Sequence, residues 1–255
     1  KAISQGASER NITAVIKKKD VKKALNTLHE KFFEKNIKQL NLFITGVGNV
    51  GKKLLEQIFN QTKYLEENLH IQIKIVGISN SKKMLFNNNG IVINNWQNEL
   101  KKGEKSSEEK FFKRTKTLNL RNSIFIDNTA SEIIANTYKD YLRNSISVVT
   151  CNKIACSDNY LNYKNLNDLS KQYSSSFLFE TNVGAGLPII DTLNNLIASG
   201  DRIKSIQAVL SGSLNYIFNN FNKKNSFDNT VKSAMSEGYT EPDPKIDLSG
   251  IDVAR

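Results

Sequence analysis

The chain has two cysteines, three prolines, two histidines and one tryptophan in 255 residues. Cys151 and Cys156 are too few and too close together for a disulfide framework, and two histidines leave a zinc site short of ligands. Sparse cysteine fits a reducing compartment, so a cytoplasmic location is expected. No apolar run reaches the roughly 18 residues of a spanning helix, and the opening Lys1 to Gly6 lacks the pattern of a secretory leader. No membrane partner is expected. Low proline and only 13 glycines also exclude collagen-like and low-complexity chains.

What remains is globular: 39% hydrophobic and 24% charged residues, enough for one large or two medium domains. The formal charge of +11 raises the question of nucleic acid. Thirty of the 36 basic residues are lysines scattered along the chain, and the aromatics are not interleaved with them as stacking modules require. Asparagine and isoleucine are abundant as well, which fits compositional drift of the coding sequence. A solvated surface is the better reading, and no nucleic-acid partner is expected; the opposite reading predicts steeply salt-dependent binding to DNA or RNA.

Hydrophobic periodicity divides the chain at about residues 36 and 152. Residues 1–36 read as a short strand ending near Ile16 and a helix with Asp20 as cap and Val21, Ala24, Leu25 and Leu28 on one face. From Leu40 the order is strand, glycine turn, helix, strand: Leu40 to Thr45, then Gly46 to Gly51, a helix with Val50, Leu54, Leu55 and Ile58 on one side, and Ile71 to Ile78. Ser123 to Ile126 and Ser145 to Val149 read as further strands, across a stretch around 80–122 that the pattern leaves unplaced. The expected class is α/β, a Rossmann-like doubly wound parallel sheet, followed by a partial α+β catalytic or dimerisation domain. In that second unit Ser176 to Glu180 and Arg202 to Leu210 read as strands, and Leu187 to Ala198, Ser213 to Phe221 and Phe227 to Glu237 as helices.

The chemistry concentrates at strand ends and turns. Gly46-Val47-Gly48-Asn49-Val50-Gly51 is a G-x-G-x-x-G between strand and helix, the context in which this short pattern points to a dinucleotide. The second strand ends in Ser79-Asn80-Ser81-Lys82-Lys83, with no acid to hold ribose hydroxyls. Small residues followed by lysines suit a 2′-phosphate, so NADP(H) is preferred over NAD(H); a solvated helix start is the bland alternative. Asp127 to Ser131 and Thr150 to Lys153 follow later strands, where open α/β sheets bind ligands; Asp127 or Ser131 can instead cap a helix starting near Glu132. Lys153 can hold a carboxylate or the nicotinamide side of a cofactor. Glu180 to Pro188 is a glycine turn leading into a helix, whose oxygens can ligate a hard cation. Between Glu237 and Asp252, five carboxylates fall within sixteen residues, stiffened by Pro242 and Pro244. Asp247 or Ser249 can cap a helix carrying Asp252, and rigid acids beside a hydride donor can bind an ammonium group and position a proton relay.

Taken together, five segments resemble homoserine dehydrogenase as it occurs in bifunctional aspartokinase/homoserine dehydrogenases. They are Ile44 to Gly51, Val149 to Lys153, Thr181 to Pro188, Leu210 to Phe218 and Gly238 to Pro244, in family order. Ile3 to Ile12 resembles the end of the ACT-type regulatory region of the fused kinase. The resemblance implies domains at 1–36 (end of the ACT-like region and linker), 37–152 (NAD(P)-binding) and 153–255 (substrate and catalytic, truncated). It implies reduction of L-aspartate 4-semialdehyde to L-homoserine on the way to threonine and methionine, by a homo-oligomer.

Carried over by position, Glu241 and Asp252 bind the amino acid, Asp247 supports them, and Asp252, Asp247 and Lys153 form the catalytic set. Gly46, Val47, Gly48, Asn49, Val50, Gly51, Thr129, Ser131, Lys153 and Gly238 line the cofactor site. Glu180, Val183, Ala185 and Leu187 match a loop that holds a monovalent cation, sodium, mostly through backbone oxygens. The chain departs from the family pattern at Cys151, where proline is usual, at Ile154, where a second lysine is usual, and at Ile246, where an acid is common. The family's proton-donating lysine directly follows the position of Arg255, so the sequence reads as a fragment that should be nearly inactive alone. The competing reading is a nucleotide-binding regulatory module that has lost catalysis.

Overall fold

The computed structural model describes residues 2–5, 12–33, 37–222, 226–240 and 243–255. Strands β1 (Ala2–Gln5) and β2 (Ile12–Val15) pair antiparallel, and a 3-10 turn at Lys18–Asp20 runs into helix α1 (Val21–Phe33). Asp20 is therefore part of a turn preceding the helix, and β1 is a strand that periodicity missed.

Next come β3 (Lys38–Thr45), α2 (Asn49–Glu67), β4 (Ile71–Ser79), β5 (Lys83–Phe86), α3 (Trp96–Lys101), β6 (Glu104–Lys105), α4 (Glu108–Leu118) and β7 (Ser123–Asp127). They are followed by α5 (Glu132–Ala135), α6 (Tyr138–Arg143), β8 (Ser147–Thr150), α7 (Ile154–Ser157), α8 (Tyr160–Gln172) and β9 (Phe177–Leu178). The last part holds α9 (Ile190–Ala198), α10 (Gly212–Asn220), α11 (Phe227–Ser236), α12 (Pro244–Leu248) and α13 (Ile251–Ala254).

Seven strands form one sheet in the order β6-β5-β4-β3-β7-β8-β9. β3 pairs parallel with β4 on one side and β7 on the other, while β5 and β6 add antiparallel at the edge. The expected parallel sheet is thus a mixed one, and the unplaced stretch around 80–122 supplies its antiparallel edge. An antiparallel strand needs only a short return after β4, and Asn80 makes it: its Oδ1 accepts from the N–H groups of Lys82 and Lys83 at 2.8 and 2.7 Å. That return also corrects the idea of a helix starting at Lys82.

β3 and β4 sit centrally, and their last five residues are buried throughout, as the continuous apolar runs of a sheet covered on both faces demand. Leu42, Ile44, Leu55, Ile58, Ile75, Ile78 and Ile126 form the core beneath α2, each such side chain contributing about 1.5–3 kcal/mol. Val50, expected on that face, is 55% exposed; the inward positions are Gly51, Leu55 and Ile58. On the other part of the sheet aromatic packing dominates: Phe125 stacks on Tyr141 at 3.9 Å and meets Tyr138 edge-on at 6.3 Å.

The chain divides into two compact units. The first contains residues 1–129, 137–149 and 168–177, and the second 130–136, 150–167 and 178–255. In the second unit α9 begins at Ile190 rather than Leu187, α10 keeps its expected length one position earlier, and α11 ends at Ser236. The strand expected at Ser176 to Glu180 narrows to Phe177–Leu178, because Glu180–Asn182 coils into a 3-10 turn. Arg202 to Leu210 carries no strand despite its alternation. A strand is held by hydrogen bonds to a neighbour, and among the described residues none pairs with it; Ile206 and Val209 stand 68% and 79% exposed. Among the described residues, no helix is long and apolar enough to cross a membrane.

Candidate functional site

β3 delivers Thr45 to the carboxyl edge of the sheet, and Gly46 turns the chain with φ +87°. A Cβ on Gly46 would lie 2.7 Å from Thr129 Cγ2 and 2.8 Å from the Asn128 backbone; one on Gly51 would lie 2.1 Å from the Gly46 carbonyl oxygen. Both positions exclude any side chain, so the turn closes tightly on α2 and on the loop after β7. Gly48 is the opposite case, since nothing lies within 4 Å of where its Cβ would be. Gly48 precedes α2 without a side-chain cap. Gly48, Asn49 and Val50 are exposed, so the positive end of a 19-residue helix faces solvent, an arrangement suited to a pyrophosphate. The residues present therefore fit a dinucleotide: two glycines seat the turn and the third leaves the approach clear.

At the end of β4, Ser79 Oγ donates to Thr45 Oγ1 at 3.1 Å, and the Gly46 N–H donates to the Ser79 carbonyl at 2.9 Å. Lys83 Nζ donates to the Gly103 carbonyl at 2.9 Å, which occupies it structurally. Ser81 and Lys82 are exposed on the return.

After β7, Asp127 is fully buried. Its Oδ1 accepts from the Thr129 N–H at 2.8 Å and its Oδ2 from the Tyr138 hydroxyl at 2.5 Å. Burial pushes the nearby Tyr141 phenol well up, with the Asp127 charge as the second cause. Of the two candidates for capping α5, Ser131 does it, accepting from the Ile134 N–H at 3.4 Å.

The second unit carries the charged pair. Lys153 directly precedes α7, and its Nζ lies 2.6 Å from Asp252 Oδ1 on α13, with the side chains 33% and 26% exposed. Buried Asn152 holds the loop in place: its N–H donates to Thr150 Oγ1, its Oδ1 accepts from the Ile154 N–H at 3.1 Å, and its Nδ2 donates to the Ser131 carbonyl at 3.0 Å. Asn182 Nδ2 donates to the Asn152 carbonyl at 3.3 Å. The role of Asn152 was not read from the sequence, although it stands inside the Thr150 to Lys153 motif; a buried amide between two polar residues leaves no periodic trace.

Neither Asp247 nor Ser249 acts as the cap ahead of Asp252. Asp243 caps α12, accepting from the Lys245 N–H at 3.0 Å, and Gly250 precedes α13 with φ +74°. Asp247 is instead buried inside α12, 4% exposed. Gly238, φ +78°, ends the α11 segment; next to it Tyr216 stacks on Tyr239 at 4.4 Å and donates to Glu237 Oε1 at 2.6 Å. That hydrogen bond is the first cause raising the Tyr216 phenol pKa. Glu241 lies outside the described residues.

In the 180–188 loop the Glu180 carboxylate accepts from the N–H groups of Ile190 and Asp191 at 2.9 and 2.8 Å and so caps α9. The carbonyls of Glu180 and Gly184 accept from Val183 and Leu187, and Ala185 is held at φ +52°. Among the described residues, no group of three or more His, Cys, Asp or Glu could hold a metal ion.

Comparison with known proteins meets this geometry from outside. The family model for the homoserine dehydrogenase NAD-binding domain matches residues 46–180, that for homoserine dehydrogenase 188–255, and an ACT-domain model 1–32. The chain is 42% identical over its whole length to bifunctional aspartokinase/homoserine dehydrogenase 2, chloroplastic, of Arabidopsis thaliana, of which it spans 28%. It is 38% identical to the homoserine dehydrogenase of Schizosaccharomyces pombe, over 85% of this chain and 59% of that protein. A hyperthermophilic archaeal homoserine dehydrogenase solved with NADPH superposes with a TM-score of 0.70 at 26% identity, over 84% of this chain and 66% of that one. The glycine turn and the Lys153–Asp252 pair lie within segments matched by these models, and the chain belongs to the homoserine dehydrogenase family.

Proposed function

We propose that this chain belongs to the dehydrogenase segment of a bifunctional aspartokinase/homoserine dehydrogenase and that the full-length protein reduces L-aspartate 4-semialdehyde to L-homoserine with NADPH. The observation that carries this reading is the Lys153–Asp252 ion pair at 2.6 Å in a chain whose other unit presents an open glycine turn. Residues 1–36 would be the end of an ACT-type regulatory region, 37–152 the cofactor domain and 153–255 the substrate domain, assembled as a homo-oligomer. The span of 28% of the Arabidopsis protein supports a place within a longer polypeptide.

The cofactor supplies the hydride that adds to the aldehyde carbon. The α2 N–H groups at Asn49, Val50 and Gly51 would bind its pyrophosphate, with Val47 and Thr129 shaping the surface around it. Ser81 and Lys82 would receive a 2′-phosphate, because Lys83 is occupied by the Gly103 carbonyl. Asp252 would aim the Lys153 ammonium, so that it can hydrogen-bond the aldehyde oxygen as negative charge develops on it. Asp252 and Glu241 would attract the substrate's ammonium group, backed by buried Asp247, and Gly238 would leave room beside them. The carbonyls of Glu180, Val183, Ala185 and Leu187 offer hard oxygens for a sodium ion; the Glu180 carboxylate itself is engaged at α9.

The test is semialdehyde-dependent NADPH oxidation by the full-length protein. Turnover that Asp252→Ala abolishes is expected. A folded protein that binds NADPH but leaves the semialdehyde untouched would favour the regulatory module.

A further inference from the structure

Asp127 is a fully buried acid at the carboxyl end of a strand beside the glycine turn, and the reaction described above gives it no task. Its position is defined from three sides. In the sheet it pairs in register with Thr45, the residue before Gly46. One carboxylate oxygen accepts from the Thr129 N–H at 2.8 Å, curling residues 127–129 into a tight turn. The other accepts at 2.5 Å from the hydroxyl of Tyr138, a side chain with no exposed surface that sits between Phe125 at 6.3 Å and Phe177 at 6.1 Å.

The turn so held is what the glycines close against. The Asn128 N–H donates to the Thr45 carbonyl at 2.9 Å, and the Asn128 backbone and Thr129 Cγ2 are the atoms that leave no room for a Cβ at Gly46. Asn128 Nδ2 likewise lies 3.3 Å from where a Gly51 Cβ would be. A shift of residues 128–129 by a few tenths of an ångström is therefore a shift in the packing of the dinucleotide seat. Asp127 itself faces the core, with both oxygens directed at protein donors.

We propose that Asp127 is a positioning residue for the dinucleotide: clamped by Tyr138, its carboxylate holds the Thr129 N–H and so fixes the 128–129 turn against Gly46 and Gly51. The assignment rests on the cofactor reading above. Charge-assisted hydrogen bonds between buried groups are the strong ones, so loosening one end is expected to show in cofactor affinity. Removing the Tyr138 hydroxyl takes away the donor to one Asp127 carboxylate oxygen and so loosens the carboxylate that holds the Thr129 N–H. An asparagine at 127 keeps an oxygen for Thr129 and offers an amide N–H to the Tyr138 oxygen, so both links survive with one reversed.

The experiment measures NADPH dissociation constants by fluorescence titration, together with steady-state kinetics and thermal melting, in the full-length protein. Tyr138→Phe is expected to weaken NADPH about tenfold and raise its KM in parallel, with kcat at saturating NADPH within about twofold of the unmodified protein. Asp127→Ala is expected to weaken it further, and Asp127→Asn to recover to within about threefold. If Asp127→Ala does not fold, the Tyr138→Phe and Asp127→Asn pair still decides. Folded variants with an unchanged NADPH dissociation constant, or with kcat reduced and affinity intact, would overturn the assignment alone. An unmodified protein that binds no NADPH would overturn the cofactor reading and this assignment with it.

Discussion

Lys153 and Asp252 are 99 residues apart in sequence and 2.6 Å apart in space, brought together by the loop before α7 and the short helix α13. Each is partly exposed, so the pair adds little to stability, on the order of 0–1 kcal/mol. In the proposed reaction its value lies in the placement of an ammonium group.

The first prediction separates those two roles. Asp252→Asn is expected to lower kcat/KM for the semialdehyde by about 100-fold while moving the denaturation midpoint by less than about 1 kcal/mol in free energy. Kinetics and denaturant unfolding on the same preparation read both, and NADPH affinity should stay as it was.

The glycine turn gives a contrast between two chemically identical substitutions. Gly51→Ala forces a Cβ to within 2.1 Å of the Gly46 carbonyl oxygen and is expected to destabilise the fold by about 1–3 kcal/mol. Gly48→Ala meets nothing within 4 Å, but φ −78° with ψ −146° lies outside the main β and α regions, so a stability cost of about 1 kcal/mol or less is expected. Its methyl group faces the dinucleotide approach, however, and NADPH binding should weaken. Calorimetric melting and fluorescence titration distinguish the two.

Cofactor preference should divide the two neighbouring lysines. Lys82→Ala is expected to raise KM for NADPH about tenfold with KM for NADH unchanged, the loss of a phosphate contact. Lys83→Ala removes a hydrogen bond to Gly103 and should affect both cofactors alike. The ratio of kcat/KM values for the two cofactors is the readout.

Cys156 supplies a pH test. Burial pushes its thiol up from the usual value of 9.0 to about 12, opposed in part by the Asn182 hydrogen bond. The native state therefore holds the proton more tightly than the unfolded one. The stability this contributes is whole below about pH 9 and is lost as pH rises toward about 12. Urea midpoints of the unmodified protein should fall between pH 9 and 11 more steeply than those of Cys156→Ser, and iodoacetamide should label Cys156 far faster after unfolding than before.

Much of this architecture is legible in the sequence, and where it is not the reason is physical. The turn at Gly46 to Gly51 can be read because steric exclusion at its first and last positions leaves only glycine. β3 and β4 can be read because strands covered on both faces need unbroken apolar runs. The β5–β6 edge is short, and its return depends on one Asn80 side chain, which no period announces. Arg202 to Leu210 alternates like a strand yet forms none, since alternation states which face would be buried and supplies no partner. At the site, the motifs located Lys153 and Asp252 separately, whereas Asn152 and Tyr138 act through side-chain hydrogen bonds, to the Ser131 carbonyl and to Asp127, that leave no periodic pattern.

The most direct test of the central claim is the stoichiometry of the reaction itself. The full-length protein, given NADPH and L-aspartate 4-semialdehyde, should form one L-homoserine for each NADPH oxidised, as followed by absorbance and amino-acid analysis of the same samples. NADPH oxidation without homoserine, or no oxidation by protein that binds NADPH, would contradict it.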